Sequence, residues 1–236
     1  MKGYDFSYNG ISAKSIGVKL VEPVTVSEAK QCVDEIKIPG KNGLVFVTSG
    51  DFENRDANAN CLVFAKPAIT VFSEITRNYF TFSGYRNLEL YDDPEHFYAA
   101  KLLAYPQIAQ TKARAAEFML DWSCKPQRFL KSGRQVQDFT LNGNFITNPT
   151  PFTALPIVRV YGNDFCAISI GSAYLELYGV SEYVDIDCEL QEVYRESTSM
   201  NHIMLGKFPT LPPGDTAVVI GTGVTKISIT PRWWEL

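Results

Sequence analysis

The segment Ala113–Leu130 has the clearest alternation of apolar and polar positions in the chain. On one parity lie Phe118, Leu120, Trp122 and Cys124, and on the other Glu117, Met119, Asp121 and Ser123. A period of two with one apolar face is typical of a half-buried β-strand. Pro126 has no N–H to donate, so the strand is predicted to end near Lys125. We interpret the segment as the last core strand of a first domain and the bridge into a second.

The rest of the first half is predicted to contain short strands and one helix. Strands are predicted within Phe6–Asn9, Val18–Val26, Val33–Ile38, Leu44–Thr48, Arg86–Tyr91 and His96–Tyr105, the last pairing with Ala113–Cys124. Apolar residues at spacings of three and four predict a short helix capped by Ser73. These residues are Phe72, Ile75, Tyr79 and Phe82. The segment Asp51–Asn60 is rich in Asn and Asp and is predicted to be a loop.

Two of these strands are predicted to form a β-hairpin over Val33–Thr48. The segment Pro39–Gly43 between them reads Pro-Gly-Lys-Asn-Gly. Proline presets φ, and the pair Asn42-Gly43 readily takes φ > 0, so a tight turn is expected.

The second half shows no convincing helical periodicity. Strands are predicted at Ile157–Tyr161, Cys166–Ile170, Tyr174–Tyr178, Tyr183–Leu190, Ala217–Ile220 and Lys226–Thr230. Turn residues separate them, among them Gly162-Asn163-Asp164 and Gly179. Many short antiparallel strands with such turns predict a jelly-roll type of β-sandwich. The predicted fold class is therefore mainly β, with domains at residues 1–132 and 133–236.

Composition narrows the class of protein. Of 236 residues, 45% are hydrophobic, so a packed core is expected, and the formal charge is −4 without a block of Lys or Arg. Tight nucleic-acid binding is therefore disfavoured. No apolar run approaches the roughly 20 residues of a membrane helix, so membrane insertion is not expected, and no signal peptide is seen. The five cysteines lack a CxxC pair, which indicates reduced and mostly buried thiols.

Candidate chemistry is sparse. His96, with Asp92, Asp93 and Glu95, could suggest a metal site, but a single histidine in an acidic turn is the simpler interpretation. Asp185, Asp187 and Glu189 could serve a glycosidase, yet the solvated face of a strand explains them more simply. No nucleophile, phosphate-binding or metalloprotease motif occurs, so an enzyme is not expected and no cofactor is implied.

The chain ends on two adjacent tryptophans, Trp233 and Trp234. An exposed tryptophan could stack on a sugar or on a partner protein. The alternative is that strand parity places one of them in the core and packs the other near Arg232.

The succession of turn and strand segments resembles the distal tail proteins (Dit) of long-tailed, siphovirus-type bacteriophages that infect Gram-positive hosts. The resemblance covers nearly the whole chain, and no single segment carries it. In the first half the segments are Phe6–Ser12, Ile38–Gly43, Gly50–Phe52, Leu90–Pro94, Phe97–Ala100 and Phe118–Gln127. In the second half they are Thr147–Thr150, Val184–Glu189, Phe208-Pro209, Leu211–Gly214 and Pro231–Trp234.

This resemblance implies a structural protein of the virion, located at the phage tail tip. The first domain would build a hexameric ring with a β-hairpin arm that reaches a neighbour, and the second would be a galectin-like sandwich. The ring would be a hub joining the tail tube protein and the tape-measure protein to the tail-associated lysin or fibre, and in some members to the receptor-binding protein. DNA would only pass through its lumen.

The Val33–Thr48 hairpin is our candidate for the arm, because its strands are apolar and its tip is a tight turn. The candidate interface residues are Val33, Ile36, Ile38, Asn42, Gly43, Leu44 and Phe46. The alternative is that the hairpin packs only within its own domain. Two other functions stay open: a carbohydrate-binding sandwich that uses Trp233 and Trp234, and a glycoside hydrolase that uses the carboxylates from Asp185 to Glu189.

Overall fold

The computed structural model describes residues 4–104, 106–112 and 114–236, without the side chains of residues 109–112. The chain divides into two compact units, the first comprising residues 1–128 with Leu236 and the second Phe129–Glu235. Each unit has its own cluster of buried hydrophobic side chains. Strands dominate both units and there is one α-helix among the described residues, which confirms the predicted mainly β class.

The strands before the unit boundary form one large sheet and one separate two-stranded ribbon. They are β1 (Phe6–Tyr8), β2 (Ile11–Ser12), β3 (Val18–Leu20), β4 (Thr25–Val26), β5 (Gln31–Ile36), β6 (Val45–Phe52), β7 (Arg55–Phe64), β8 (Arg86–Leu90), β9 (Asp93–Leu102), β10 (Ile108–Lys112) and β11 (Ala115–Leu130). The helix α1 spans Ala68–Tyr79, and a 3-10 turn spans Lys14–Ile16. In the large sheet the order is β2-β1-β8-β9-β11-β7-β3, with β10 paired to β11 and β4 to β7.

Strand β7 occupies most of the segment Asp51–Asn60, so the prediction of a loop there was wrong. Asp51 and Phe52 end β6, and β7 begins at Arg55. The small residues Ala57, Ala59 and Cys61 are buried in alternation along β7. They lie opposite bulky residues of β11, in the cross-strand pairs Ala57–Trp122, Ala59–Leu120 and Cys61–Phe118. Small side chains on one strand therefore make room for large ones on the next, a pattern that the Asn and Asp residues between them obscure.

Strand β11 confirms the alternation of Phe118, Leu120, Trp122 and Cys124, which are all buried. It does not end near Lys125 as predicted, but continues to Leu130. Cys124 is the last residue of β11 that pairs with β7. The missing N–H of Pro126 therefore removes no hydrogen bond to β7, and the chain can stay extended.

Helix α1 confirms the predicted helix but not its start. The helix begins at Ala68, and the cap residue is Pro67. Ser73 lies inside the helix, where its Oγ donates to the carbonyl of Ile69 at 2.9 Å instead of capping it. Phe72 and Ile75 are buried, whereas Phe82 lies beyond the last helical residue. The ring of Phe72 meets that of Phe118 edge-on at 5.0 Å, so the helix covers the apolar face of β11.

The second unit contains the strands β12 (Gln137–Phe139), β13 (Asn144–Asn148), β14 (Ile157–Ile170), β15 (Ala173–Asp187), β16 (Glu192–Arg195), β17 (Thr198–Ser199), β18 (Met204–Gly206), β19 (Gly214–Ile220), β20 (Val224–Thr230) and β21 (Trp234–Glu235). Two 3-10 turns, Lys131–Arg134 and Asn201–Ile203, complete it. The first part of β14 pairs with β20, and its last part pairs with β19.

The four strands predicted between Ile157 and Leu190 are in fact two long ones, β14 and β15. They pair along their whole length, with a register shift between Asp164 and Cys166. The residues Gly162-Asn163-Asp164 and Gly179 therefore mark a bulge in continuous strands and not chain reversals. Val158 and Val184 before the bulge and Ile168 and Leu175 beyond it belong to one core cluster. The sheet thus folds over on itself and encloses that core between its two halves.

Candidate functional site

The hairpin formed by β5 and β6 is the most exposed apolar element among the described residues. Cross-strand pairs run from Val33–Thr48 to Ile36–Val45, so the predicted hairpin is present. It is a separate two-stranded sheet that does not join the large sheet of the first unit. Within the described part of the chain, no residue from 31 to 52 belongs to the core of the first unit.

Both faces of this hairpin carry apolar side chains that water reaches. Phe46 is 62% exposed and shares a face with Val33, while Ile36 and Val47, each 47% exposed, lie on the opposite face. Ile38 and Leu44, at the two ends of the tip, are also exposed. A two-stranded ribbon in water is marginally stable at best, and clustered exposed apolar residues are typical of interaction sites.

The tip and the base of the hairpin are well defined. At the tip, Asn42 is exposed and Gly43 has a φ of 88°, which a glycine adopts without strain. At the base, the N–H of Glu53 donates to the carbonyl of Lys30 at 2.8 Å. The N–H of Ser27 donates to the carbonyl of Asp56, also at 2.8 Å. A fixed base therefore supports two strands that project their side chains into solvent.

Most of the exposed hairpin residues were predicted from the sequence, but Val47 was not. The predicted interface residues, from Val33 to Phe46, are all on the hairpin or its tip. Val47 lies on the same face as Ile36, which the predicted set includes, and on the face opposite to Phe46. It is 47% exposed and belongs with the other exposed apolar residues of the hairpin.

The two tryptophans do not form an open stacking surface. Trp233 is 3% exposed and belongs to the core of the second unit. Trp234 stacks on Phe152 with ring centroids 4.5 Å apart, and its Nε1 donates to the carbonyl of Thr153 at 3.0 Å. Each ring thus already has a partner inside its own unit, which disfavours a sugar site that uses them.

The carboxylates of Asp185 and Asp187 are buried, and each forms an ion pair with an arginine. The prediction that they lie on a solvated strand face was therefore wrong. Asp185 accepts two hydrogen bonds from Arg159, at 2.7 and 2.8 Å. Asp187 accepts two from Arg232, both at 2.8 Å. Burial alone would raise the pKa of Asp187, but the bonds from Arg232 and from backbone N–H groups outweigh it and lower that pKa. Both carboxylates are committed to arginines, which leaves no acid and base pair for glycoside hydrolysis.

A groove of about 460 Å³ lies over the outer face of the first half of the β14–β15 sheet. Its charges are neutralised inside the groove: Arg159 pairs with Asp185, and Lys226 lies 3.5 Å from Asp138. The Lys226 ammonium lies 4.3 Å from the centroid of the Tyr161 ring. The groove therefore presents paired charges and covered rings, with neither a free nucleophile nor a free acid.

The acidic residues around the start of β9 do not assemble a metal site. His96 Nδ1 lies 2.6 Å from Asp93 Oδ1, whereas Asp92 and Glu95 are exposed. Across the described residues no group of three His, Cys, Asp or Glu side chains could hold a metal ion.

Among the described residues, no helix is long and apolar enough to cross a membrane.

All five cysteines are free thiols. Cys61, Cys124, Cys166 and Cys188 are buried, and Cys32 in β5 is half-buried. Burial raises the pKa of Cys61, Cys124 and Cys188 to about 12. These thiols fill the cores and are poor nucleophiles at neutral pH.

The chain resembles known proteins at the level of the fold. No protein-family model matches the chain, and no curated protein sequence shows a significant match. Among solved structures, the chain is similar to the Dit (gp 19.1) protein of SPP1, described as a paradigm of the hub adsorption apparatus in phages that infect Gram-positive hosts. The TM-score is 0.71 at 16% identity, and the match covers 100% of both chains. The chain thus has the fold of that Dit protein, which confirms the fold implied by the sequence resemblance.

Proposed function

We propose that this chain is a structural protein of a phage tail tip, where copies of it close into a ring-shaped adaptor. The observation that carries the proposal is the fold, which matches a phage Dit protein over the full length of both chains. An insertion or a missing part would have left one chain partly uncovered. The whole architecture, and not one common β-domain, therefore supports the comparison.

The hairpin supplies a reason for self-association. Its apolar side chains on both faces are about half exposed in the single chain, and burying what remains of each would contribute on the order of 1 kcal/mol. A head-to-tail contact that uses two different surfaces of each copy generates a ring when its rotation closes. The hairpin is one such surface, and it reaches a neighbouring copy. Val33, Ile36, Ile38, Leu44 and Phe46 form the contact.

The adaptor has no chemistry of its own. A hexameric ring sits between the tail tube with its tape-measure protein on one side and the tail-associated lysin or fibre on the other, with the virion as its location. The second unit is a galectin-like domain that belongs to this hub. The buried ion pairs of Asp185 and Asp187 support a structural role for the one row of acids that could have suggested catalysis.

Negative-stain microscopy and light scattering of the purified protein test the ring directly. We expect closed rings, and a mass several times that of the 26.4 kDa chain. The variant Phe46→Asp should shift the protein toward monomers, because a charge would have to be buried at the contact. Its unfolding temperature as a monomer should stay unchanged, since Phe46 does not pack on the core.

A matched control is Leu141→Asp, at a position 72% exposed in the second unit and outside the hairpin. This variant should assemble as the unchanged protein does. A protein that remains monomeric at micromolar to millimolar concentration, alone and mixed with tail tube protein, would refute the adaptor. Turnover of a cell-wall polysaccharide would point to a different function.

A further inference from the structure

The groove on the second unit is a surface that the proposed ring does not use. It has a volume of about 460 Å³ and lies on the outer face of the first half of the β14–β15 sheet. Binding sites for small molecules range from about 300 to 1,000 Å³. The groove therefore has the size of a ligand site.

The floor of the groove is a single cross-strand row of polar side chains. The row crosses the adjacent strands β12, β20, β14, β15 and β16 through Asp138, Ser228, Arg159, Asp185 and Tyr194. On each of these strands the neighbouring residues belong to the core cluster, so the row faces outward. Paired strands lie about 4.8 Å apart, which gives the row a length of about 19 Å. An extended oligomer fits along such a row.

Hydrogen bonds inside the row fix the positions of its polar groups. Asp185 is 6% exposed and accepts from Nε and Nη2 of Arg159. Ser228 is 7% exposed, and its Oγ donates to Asp138 Oδ1 at 2.5 Å. This hydrogen bond lowers the pKa of Asp138, which is therefore a carboxylate at neutral pH. A ligand would meet groups that are already ordered, which reduces the entropy lost on binding.

Parts of these groups remain accessible from the groove. The side chains of Asp138, Arg159 and Lys226 are 54%, 41% and 32% exposed. Arg159 uses Nε and Nη2 for Asp185, so its Nη1 can donate to a ligand, while Asp138 and the Ser228 hydroxyl can accept. The pair of Lys226 with Asp138 is exposed enough to add little stability to the fold. Both donors and acceptors are thus available for binding.

The charges that line the groove cancel. Its cations are Arg159 and Lys226, and its anions are Asp138 and Asp185. An anionic ligand would be repelled by Asp138, and a cationic ligand by Arg159 and Lys226. Charge complementarity therefore favours an uncharged ligand that both donates and accepts hydrogen bonds.

Apolar side chains lie along one side of the polar row. Ile157 pairs with Thr230 in the next cross-strand row, and Val136, which is 60% exposed, precedes Asp138 by two residues. Together they offer a surface for C–H groups beside the hydrogen-bonding floor. Sugar rings carry hydroxyl groups at their edges and C–H groups on their faces, and so match both parts of the groove.

We infer that this groove binds a neutral saccharide. The hydroxyl groups of the saccharide bond to Asp138, Ser228 and Arg159, and its C–H groups pack on Val136 and Ile157. All of these residues belong to the second unit. The inference goes beyond the adaptor function, and it does not depend on closure of the ring.

A groove in the first unit is a poorer candidate. It measures about 260 Å³ and lies between Phe80–Ser83 and Leu102–Ala104. The described residues of its lining include two hydroxyl groups, those of Thr81 and Ser83, but no charged side chain. Hydrogen bonds to charged groups are about twice as strong as those between neutral groups. This groove therefore lacks the groups that would hold a saccharide in one orientation.

An array of immobilised oligosaccharides tests the site with the full chain. The array carries neutral oligomers of glucose, galactose and N-acetylglucosamine, together with sialylated and amine-bearing oligosaccharides. The neutral oligomer that is retained best is then titrated in solution by calorimetry. We expect saturable binding of at least one neutral oligomer. Retention of charged oligosaccharides alone, or no binding at millimolar concentration, would overturn the inference.

A pair of carboxylate variants locates the binding. Asp138→Ala removes an ionised acceptor from the floor and should weaken binding of the neutral oligomer about tenfold. The matched control is Asp215→Ala, because Asp215 is also exposed and accepts from a hydroxyl, that of Thr147 at 2.6 Å, on the other half of the sheet. The control should bind as the unchanged protein does. Equal affinity of the two variants would reject this groove as the site.

Two further measurements separate binding from folding and from assembly. Both variants should keep the unfolding temperature of the unchanged protein, since each replaces an exposed side chain. Light scattering on the same samples reports the ring. Rings without saccharide binding would reject the site alone, whereas saccharide binding by a protein that stays monomeric would reject the ring alone.

Discussion

At the scale of single residues, the clearest result is the difference between exposed and buried charges. Asp187 is 3% exposed and holds Arg232, whose backbone N–H also donates to the carbonyl of Gly133 at 2.8 Å. A Cβ on Gly133 would lie 2.4 Å from the backbone nitrogen of Trp233, so the two segments meet too closely for any other residue. The ion pair thus ties the end of the chain to β15, and the backbone hydrogen bond ties it to the start of the second unit. The sequence suggested a solvated row of acids because alternation alone does not reveal which arginine is opposite.

The variant Asp187→Asn should lower the free energy of unfolding by about 3 kcal/mol at neutral pH, since it leaves Arg232 without its anion. The pKa of Asp187 is lowered in the folded chain, so its contribution is present above the ordinary carboxyl pKa of about 4 and is lost as pH falls through the lower folded value. The difference between variant and unchanged protein should therefore shrink in acid. Urea titrations at several pH values measure it.

Glu182→Gln is the control for that prediction. Glu182 also pairs with an arginine, Arg195, but its side chain is 74% exposed. Exposed pairs contribute about 1 kcal/mol or less, so this change should have little effect. A loss for Asp187→Asn that stays constant from neutral pH into acid would contradict the ion-pair explanation.

At the scale of elements, prediction from sequence succeeded where one strand carried its own signal. The alternation from Phe118 to Cys124 and the turn residues Pro39–Gly43 are local patterns, and the strand and the hairpin are both present. The hydrogen-bonded turn is formed by Pro39-Gly40, where the N–H of Lys41 donates to the carbonyl of Ile38, and not by Asn42-Gly43 as expected. The first half of β7 was missed because its buried apolar residues are Ala57 and Ala59, which contribute little apolar signal. Strands β14 and β15 were each divided in two because a glycine at a bulge resembles a glycine at a turn. In both cases the information lies in the neighbouring strand.

The small-to-large pairing of β7 with β11 leads to a prediction. Ala57 is fully buried opposite Trp122, so Ala57→Leu should overpack the core and cost about 1–3 kcal/mol of stability. Asn58→Leu on the exposed face of the same strand is the matched control, and it should change stability by no more than about 0.5 kcal/mol. Thermal unfolding of both variants gives the comparison. Equal losses would show that β7 does not pack as described.

At the scale of the whole molecule, the sequence was sufficient for the fold and insufficient for the assembly. A succession of weak turn and strand segments, from Phe6–Ser12 to Pro231–Trp234, implied the fold that the SPP1 Dit comparison confirms. The hairpin was visible because Pro39–Gly43 is a strong turn. The grouping of the exposed residues Phe145, Tyr174, Leu205 and Val219 was not, since they come from four strands that only the folded sheet brings together.

The half-buried thiol of Cys32 gives this chain a built-in attachment point for a probe. The other four cysteines are buried in the two cores, so a maleimide dye added to the native protein should react at Cys32 alone, as peptide mapping would show. Cys32 lies at the bulge near the foot of the hairpin. A fluorophore placed there would report, in real time and without engineering the sequence, when one copy meets the next. Labelling spread evenly over all five thiols would mean that the cores open readily.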